Sequence, residues 1–270
     1  MQKVVALLND FDTANRVLAK AIEIAQEQDV SLETLFVHEA PLFSLPDFFL
    51  NLEHKESVRI DEKKIRDELG QRVEKLGFSG NSAIFVSTDD TADRAAAHTR
   101  DESDVLIVSA YHETISKALA KKAHTPILIL KKDSIAGYKD LSIPIELDES
   151  AEQCITLSRS LFPQGNIHLI YDNHYLTDRE EAERQKATFE RIVSEMNAEG
   201  DYIEEFVWNE ADYGEDFALM ETHLKQLIEK SGSDLTVLCS GNDDLLYGEA
   251  VSLSLLQNIE TDFLIARRLT

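Results

Sequence analysis

The second half of this 270-residue chain repeats the order of the first. Ser103-Asp104-Val105-Leu106-Ile107-Val108-Ser109 returns as Ser233-Asp234-Leu235-Thr236-Val237-Leu238-Cys239. Thr125-Pro126-Ile127-Leu128-Ile129-Leu130 returns as Thr261-Asp262-Phe263-Leu264-Ile265-Ala266. Each pair closes a run in which five short apolar stretches alternate with four helical ones. A period of half the chain is too long for a solenoid, whose units run to about 20–50 residues. It marks two copies of a whole domain, each near the common domain size and able to build its own core. The division falls at 1–134 and 135–270. The stretch 131–139, containing Gly137, is the candidate linker, and so short a join predicts halves that pack together rather than swing.

In the first copy the apolar runs lie at 4–8, 32–38, 83–87, 105–108 and 126–130. Between them, Val17, Leu18, Ala21, Ile22 and Ala25 recur at helical spacing after Thr13 or Asp12, either of which is placed to cap. Asp29 is expected to end that helix, and a long charged helix is expected over about 47–76. In the second copy strands are expected near 141–145, 166–171, 202–208, 235–239 and 263–266, and helices near 150–161, 178–198, 216–230 and 246–257. Strict alternation with near-continuous Val, Ile and Leu in the strands implies parallel sheets covered on both faces. The expected fold class is therefore α/β: two tandem doubly wound domains, each a five-stranded parallel sheet flanked by helices. Such sheets hold ligands beyond the carboxyl ends of the strands, where the strand order reverses.

The formal net charge is −24. It opposes nucleic-acid phosphates and acidic membrane surfaces, and no basic stripe compensates. The acid is unevenly shared: residues 1–134 carry 17 Lys/Arg against 23 Asp/Glu, and residues 135–270 carry 10 against 28. No apolar run approaches the ~20 residues of a membrane span. Met1 leads straight into the first strand pattern and leaves no room for a signal peptide, so the expectation is a soluble, cytoplasmic protein. Cys154 falls in a helical pattern and Cys239 ends a strand; both are expected as small buried hydrophobes.

Several strings carry a family resemblance. Val4-Val5-Ala6-Leu7-Leu8-Asn9-Asp10 and Ile143-Pro144-Ile145-Glu146-Leu147-Asp148-Glu149-Ser150 look like a first strand ending in an Asp-containing turn. Asp104-Val105-Leu106-Ile107-Val108-Ser109 and His124-Thr125-Pro126-Ile127-Leu128-Ile129 look like a fourth and a fifth. With the two-fold repeat, the chain resembles the tandem universal stress protein family, of the wider adenine nucleotide alpha hydrolase-like fold, over essentially its whole length. The resemblance implies a stress-response role.

Nucleotide-binding members of that family carry, after the fourth strand, a Gly, two residues, a Gly, nine residues, then Gly with Ser or Thr. Glycines let backbone N–H groups approach phosphates, and the helix start that follows favours anions. Here Ser109-Ala110-Tyr111-His112-Glu113-Thr114 runs directly into a helix pattern, with no glycine between Gly80 and Gly137. The second copy keeps Gly241 and Gly248, but Glu249 stands where a hydroxyl residue belongs, and Asp243 and Asp244 add negative charge. Like charges of this kind oppose a triphosphate. The expected function is that of a non-enzymatic stress-response protein acting without ATP and without any other cofactor. The alternative is an ATP-binding switch at a divergent second-half site near Asp148, Gly241 and Gly248.

Other chemistry is thinly signalled. Asn9 and Asp10, His38 and Glu39, Asp148, and Asp172 with His174 gather at strand carboxyl ends. No cysteine joins them and no helical His-x3-His spacing exists, so solvated loop groups are expected rather than a metal site. No Gly-x-Ser-x-Gly occurs, and no base lies beside either cysteine. The segment from Pro41 to Leu50 is different. Phe43, Phe48 and Phe49 make it dense in aromatics for a connection that is ordinarily polar. They either pack inward or form a contact surface for a protein partner, a second copy of the chain, or a small apolar molecule.

Overall fold

A computed structural model describes residues 1–39, 61–100, 104–133, 137–147, 150–173, 179–199, 203–210, 217–239 and 248–267. In chain order these form β1 (Lys3–Leu8), α1 (Ala14–Glu27), β2 (Ser31–His38), α2 (Glu62–Lys75), β3 (Ser82–Thr88), α3 (Thr91–Thr99), β4 (Val105–Ala110), α4 (Glu113–Lys122) and β5 (Ile127–Leu130). The second half follows with β6 (Asp140–Pro144), α5 (Ser150–Leu161), β7 (Asn166–Asn173), α6 (Arg179–Glu199), β8 (Ile203–Glu210), α7 (Phe217–Ser231), β9 (Leu235–Cys239), α8 (Gly248–Asn258) and β10 (Asp262–Ala266). No helix among the described residues is long and apolar enough to cross a membrane.

The ten strands form one sheet in the order β3-β2-β1-β4-β5-β10-β9-β6-β7-β8. Within each half every pairing is parallel, and both halves have their strands in the order 3-2-1-4-5. The halves meet edge to edge through β5 and β10, which pair antiparallel with Leu128 opposite Leu264. The sheet therefore continues through the join.

Both faces are covered, which is why the strands read as unbroken apolar runs. Val4, Ala6 and Leu8 of β1 pack on one face with α1, α2, α5 and α6, while Val5 and Leu7 pack on the other with α3, α4, α7 and α8. Val17, Leu18, Ala21, Ile22 and Ala25 of α1 are all buried, as their spacing requires. Full burial of each larger side chain contributes about 1.5–3 kcal/mol. Asp29, at φ 51°, turns the chain out of α1, and Gly77, at φ 82°, does so after α2. The expected cap of α1 is corrected: Thr13 makes no side-chain capping bond there. Its N–H and hydroxyl donate instead to Asp10 Oδ1, at 2.8 and 3.0 Å. Of the long helix expected over 47–76, α2 is the part that lies among the described residues.

The strand register also corrects the alignment of the repeat. Val108 sits opposite Leu128, and Val237 opposite Leu264, so Val108 corresponds to Val237. Cys239 therefore corresponds to Ala110, one residue beyond the Ser109 that the matching strings suggest. Leu106, Val108 and Ala110 share a face with Leu235, Val237 and Cys239. In a strand, a slip of one residue would exchange the two faces.

Several polar groups close the join. Asp262, only 1% exposed, accepts the backbone N–H groups of Lys131 (2.7 Å) and Lys132 (2.8 Å) on Oδ1 and the Tyr138 hydroxyl (2.7 Å) on Oδ2. Tyr138 stacks edge-on against Phe162, and the Lys20 ammonium lies 4.7 Å from its ring centre. Lys131, just past β5, donates to the carbonyls of Leu256 and Gln257 at the end of α8. Its counterpart Arg267, just past β10, donates to the Ala120 carbonyl in the last turn of α4. Each half thus supplies a cation to the negative end of a helix in the other.

Candidate functional site

In the first half the strand order reverses between β1 and β4, and the crevice beyond their carboxyl ends is where this architecture places ligands. Asp10 enters it from the turn after β1, its Oδ1 held by Thr13. His112 enters from the connection after β4, with Nε2 at 3.3 Å from Asp10 Oδ2. That separation is an ion-pair distance, and Nε2 makes no aligned hydrogen bond. Partial burial pushes the Asp10 carboxyl up, but the Thr13 hydrogen bonds and the neighbouring imidazole outweigh it and hold it below its ordinary value.

The connection from β4 to α4 is just Tyr111 and His112, and both of its amides are used internally. Tyr111 N–H donates to the Leu130 carbonyl at 2.8 Å, and His112 N–H to Ser116 Oγ at 3.1 Å. The acidic residue in the first turn of α4 is Glu113, paired with Lys117 at 2.8 Å, so a carboxylate stands near the helix end that would otherwise attract an anion. At the rim, the Lys131 ammonium lies 4.6 Å from the Tyr111 ring centre, and Arg16 pairs with Asp133 at 2.7 Å. Beside it, Phe11 stacks on Phe36 at 5.0 Å, with the Arg72 guanidinium 5.1 Å from Phe11.

This arrangement offers one carboxylate and one imidazole with spare hydrogen-bonding capacity. The two amides of its connecting loop, Tyr111 and His112, are both already bonded. Among the described residues no three His, Cys, Asp or Glu side chains gather as a metal site.

The corresponding crevice of the second half differs. Cys154 of α5 and Cys239 at the end of β9 form a disulfide, with Cα atoms 5.8 Å apart. The expectation of two separate apolar side chains is corrected, although both residues are buried as foreseen. Spacing 85 residues apart gave no sign of the contact; it follows from the adjacency of β6 and β9, onto which α5 packs. Gly248 opens α8. Asp148 and Gly241 lie outside the described residues, as do Phe43, Phe48, Phe49 and His174, whereas Glu39 follows β2 and is exposed. Asp172 is not a solvated loop group: it lies in β7, fully buried, with Oδ2 at 3.3 Å from His223 Nδ1 of α7. His112 was missed as a site residue because its role depends on where β4 ends relative to β1.

No family model and no curated protein matches the sequence. Solved structures do match it. A protein described as a universal stress protein from Pseudomonas aeruginosa superposes with a TM-score of 0.69 at 13% identity, covering 99% of this chain and 93% of its own. A functionally unknown protein from the same organism gives 0.67 at 13%, covering 99% and 92%. A universal stress protein from Archaeoglobus fulgidus gives 0.69 at 12%, covering 98% of each chain. At these identities the likeness is one of backbone architecture: along nearly its whole length, this chain has the fold that universal stress proteins have in those structures.

Proposed function

We propose that this chain is a universal stress protein of the tandem kind that acts without ATP and without catalysis, through contacts with a protein partner or a small apolar molecule. The observation that carries this reading is the two-residue connection Tyr111–His112. Its amides are already bonded, and Glu113 stands at the start of the helix. A triphosphate held by backbone N–H groups needs an open loop and a helix end free of negative charge. The first-half crevice supplies neither. The overall charge of −24 opposes a polyphosphate further. Cytoplasmic location and a homodimer belong to the same proposal, and the aromatic segment with Phe43, Phe48 and Phe49 is its candidate contact surface on sequence grounds.

Calorimetric titration of the purified chain with ATP and Mg²⁺ tests the first part. The expected result is no binding tighter than roughly millimolar, about 4 kcal/mol of affinity, and no hydrolysis. Micromolar binding that disappears in Gly248→Val would overturn the reading in favour of an ATP-binding switch in the second half. Native mass spectrometry of wild type and the Phe48→Ser, Phe49→Ser double variant tests the second part. Loss of an associated species at unchanged melting temperature supports a contact surface, whereas a large drop in melting temperature assigns those rings to packing.

A further inference from the structure

Cys154 and Cys239 are the only cysteines in the chain, and the fold brings them together in a disulfide. Cys154 lies in the second turn of α5, Cys239 ends β9, and their Cα separation of 5.8 Å is one a disulfide spans without backbone movement. Both are buried, at 3% and 1% exposure. The first half shows what the position needs for packing alone. Ala14, Val17 and Leu18 of α1 are buried in the spacing of Ala151, Cys154 and Ile155 of α5, so Val17 corresponds to Cys154. By strand register Ala110 corresponds to Cys239. An apolar pair suffices there, so sulfur in the second half adds a covalent link beyond what packing requires.

The link encloses a particular part of the molecule. Between the two cysteines lie β7, α6, β8, α7 and nearly all of β9. β7 and β8 form the outer end of the sheet, and β8 is its edge strand. Residues 155–238 carry 18 Asp/Glu against 7 Lys/Arg. Self-repulsion of that charge favours expansion of this part whenever its packing opens. A cross-link limits the expansion by removing conformations from the open state.

We propose that Cys154–Cys239 is a thiol–disulfide exchange site whose oxidation state sets how tightly the acidic outer part of the second half is held. The reaction partner is a low-molecular-weight thiol. Its thiolate attacks one sulfur, the Sγ–Sγ bond breaks, and the departing protein thiolate takes up a proton. A second small thiol attacks the resulting mixed disulfide, freeing the other protein thiol and a small-molecule disulfide. Two electrons pass to the protein, and a small-molecule disulfide reverses the sequence. Because both sulfurs are buried, attack waits on local opening of α5, which ties the exchange rate to the stability of this region. After reduction the thiols pack as Val17 and Ala110 do, so the fold persists while the loop constraint is gone.

Hydrogen exchange followed by mass spectrometry on the intact chain tests this, comparing the oxidised protein, the dithiothreitol-treated protein and the Cys154→Val, Cys239→Ala double variant. Free thiols are counted in each by maleimide labelling after unfolding. The oxidised protein should show no free thiol, and reduction should accelerate exchange in peptides of α5, β7, α6 and β8 by at least about tenfold. Peptides of β1, β2 and β4 should not change. The double variant should match the reduced protein and ignore dithiothreitol. Two free thiols after equilibration with oxidised glutathione would overturn the proposal. So would equal exchange in the two redox states, acceleration spread evenly over both halves, or a double variant that still responds to reductant.

Discussion

Replacing Asp262 with Ala removes one acceptor that serves three donors at the join of the halves. The Lys131 and Lys132 amides and the Tyr138 hydroxyl all donate to it, at 2.7–2.8 Å. A hydrogen bond to a charged group is worth about 1.5–3 kcal/mol, and a buried donor left without a partner costs about 1–3 kcal/mol. Tyr138 is only 8% exposed, so its hydroxyl is stranded in full, whereas Lys131 and Lys132 are half-buried and water recovers part of their loss. The sum is about 3–5 kcal/mol, a large share of the ~5–15 kcal/mol that stabilises a typical protein. Asp262→Asn keeps a carbonyl oxygen for the two amides, and its NH₂ can donate to the Tyr138 oxygen, so about 1–2 kcal/mol is expected. Urea unfolding followed by far-ultraviolet circular dichroism should show the Ala variant's midpoint lowered by roughly 1–2 M. Adding Tyr138→Phe to Asp262→Ala should restore about 1 kcal/mol by removing the stranded hydroxyl. The reasoning fails if Asp262→Ala unfolds at the wild-type midpoint, or if Asn is as damaging as Ala.

Two further outcomes follow from other contacts. Lys131→Met and Arg267→Met should each cost about 1–2 kcal/mol in the same assay, since each strips a partly buried cation from the end of a helix in the opposite half. Equal stability of both variants and wild type would show that these contacts do not cap. Burial pushes the Glu33 carboxyl up, but hydrogen bonds from Lys3 and His98 outweigh it and hold it below its ordinary value of 4.5. A lowered folded value gives stability that is present above about pH 4.5 and lost as pH falls through the folded value. Glu33→Gln should therefore lower stability at pH 7 and flatten the loss on acidification, as read from melting temperatures between pH 3 and 7.

Much of the fold was legible in the chain itself. Runs such as Val4 to Leu8 and Ile127 to Leu130 announce strands because both faces of a parallel sheet must be apolar, and Val17, Leu18, Ala21, Ile22 and Ala25 announce a helix because only a 3.6-residue period puts them on one side. The candidate site was legible only in part. Asp10 was visible as a polar residue at a strand end, and the missing glycines near Tyr111 were visible as a gap. That His112 fills the gap and meets Asp10 depends on side chains about a hundred residues apart in sequence. Cys154 and Cys239 were visible as buried residues, but their bond was not.

Local pattern, then, determined the elements: their kind, their order, and the repetition of that order in two halves. Tertiary structure alone decided how the copies join and which residues correspond. The strings ending in Ser109 and Cys239 match by composition, yet the sheet pairs Cys239 with the position of Ala110. It also runs β5 antiparallel to β10, so that Lys131 and Arg267 reach across to each other's half. The physical reason is that periodicity encodes which face of a strand is apolar, whereas strand partners and register are selected by the whole set of side chains that must be buried together.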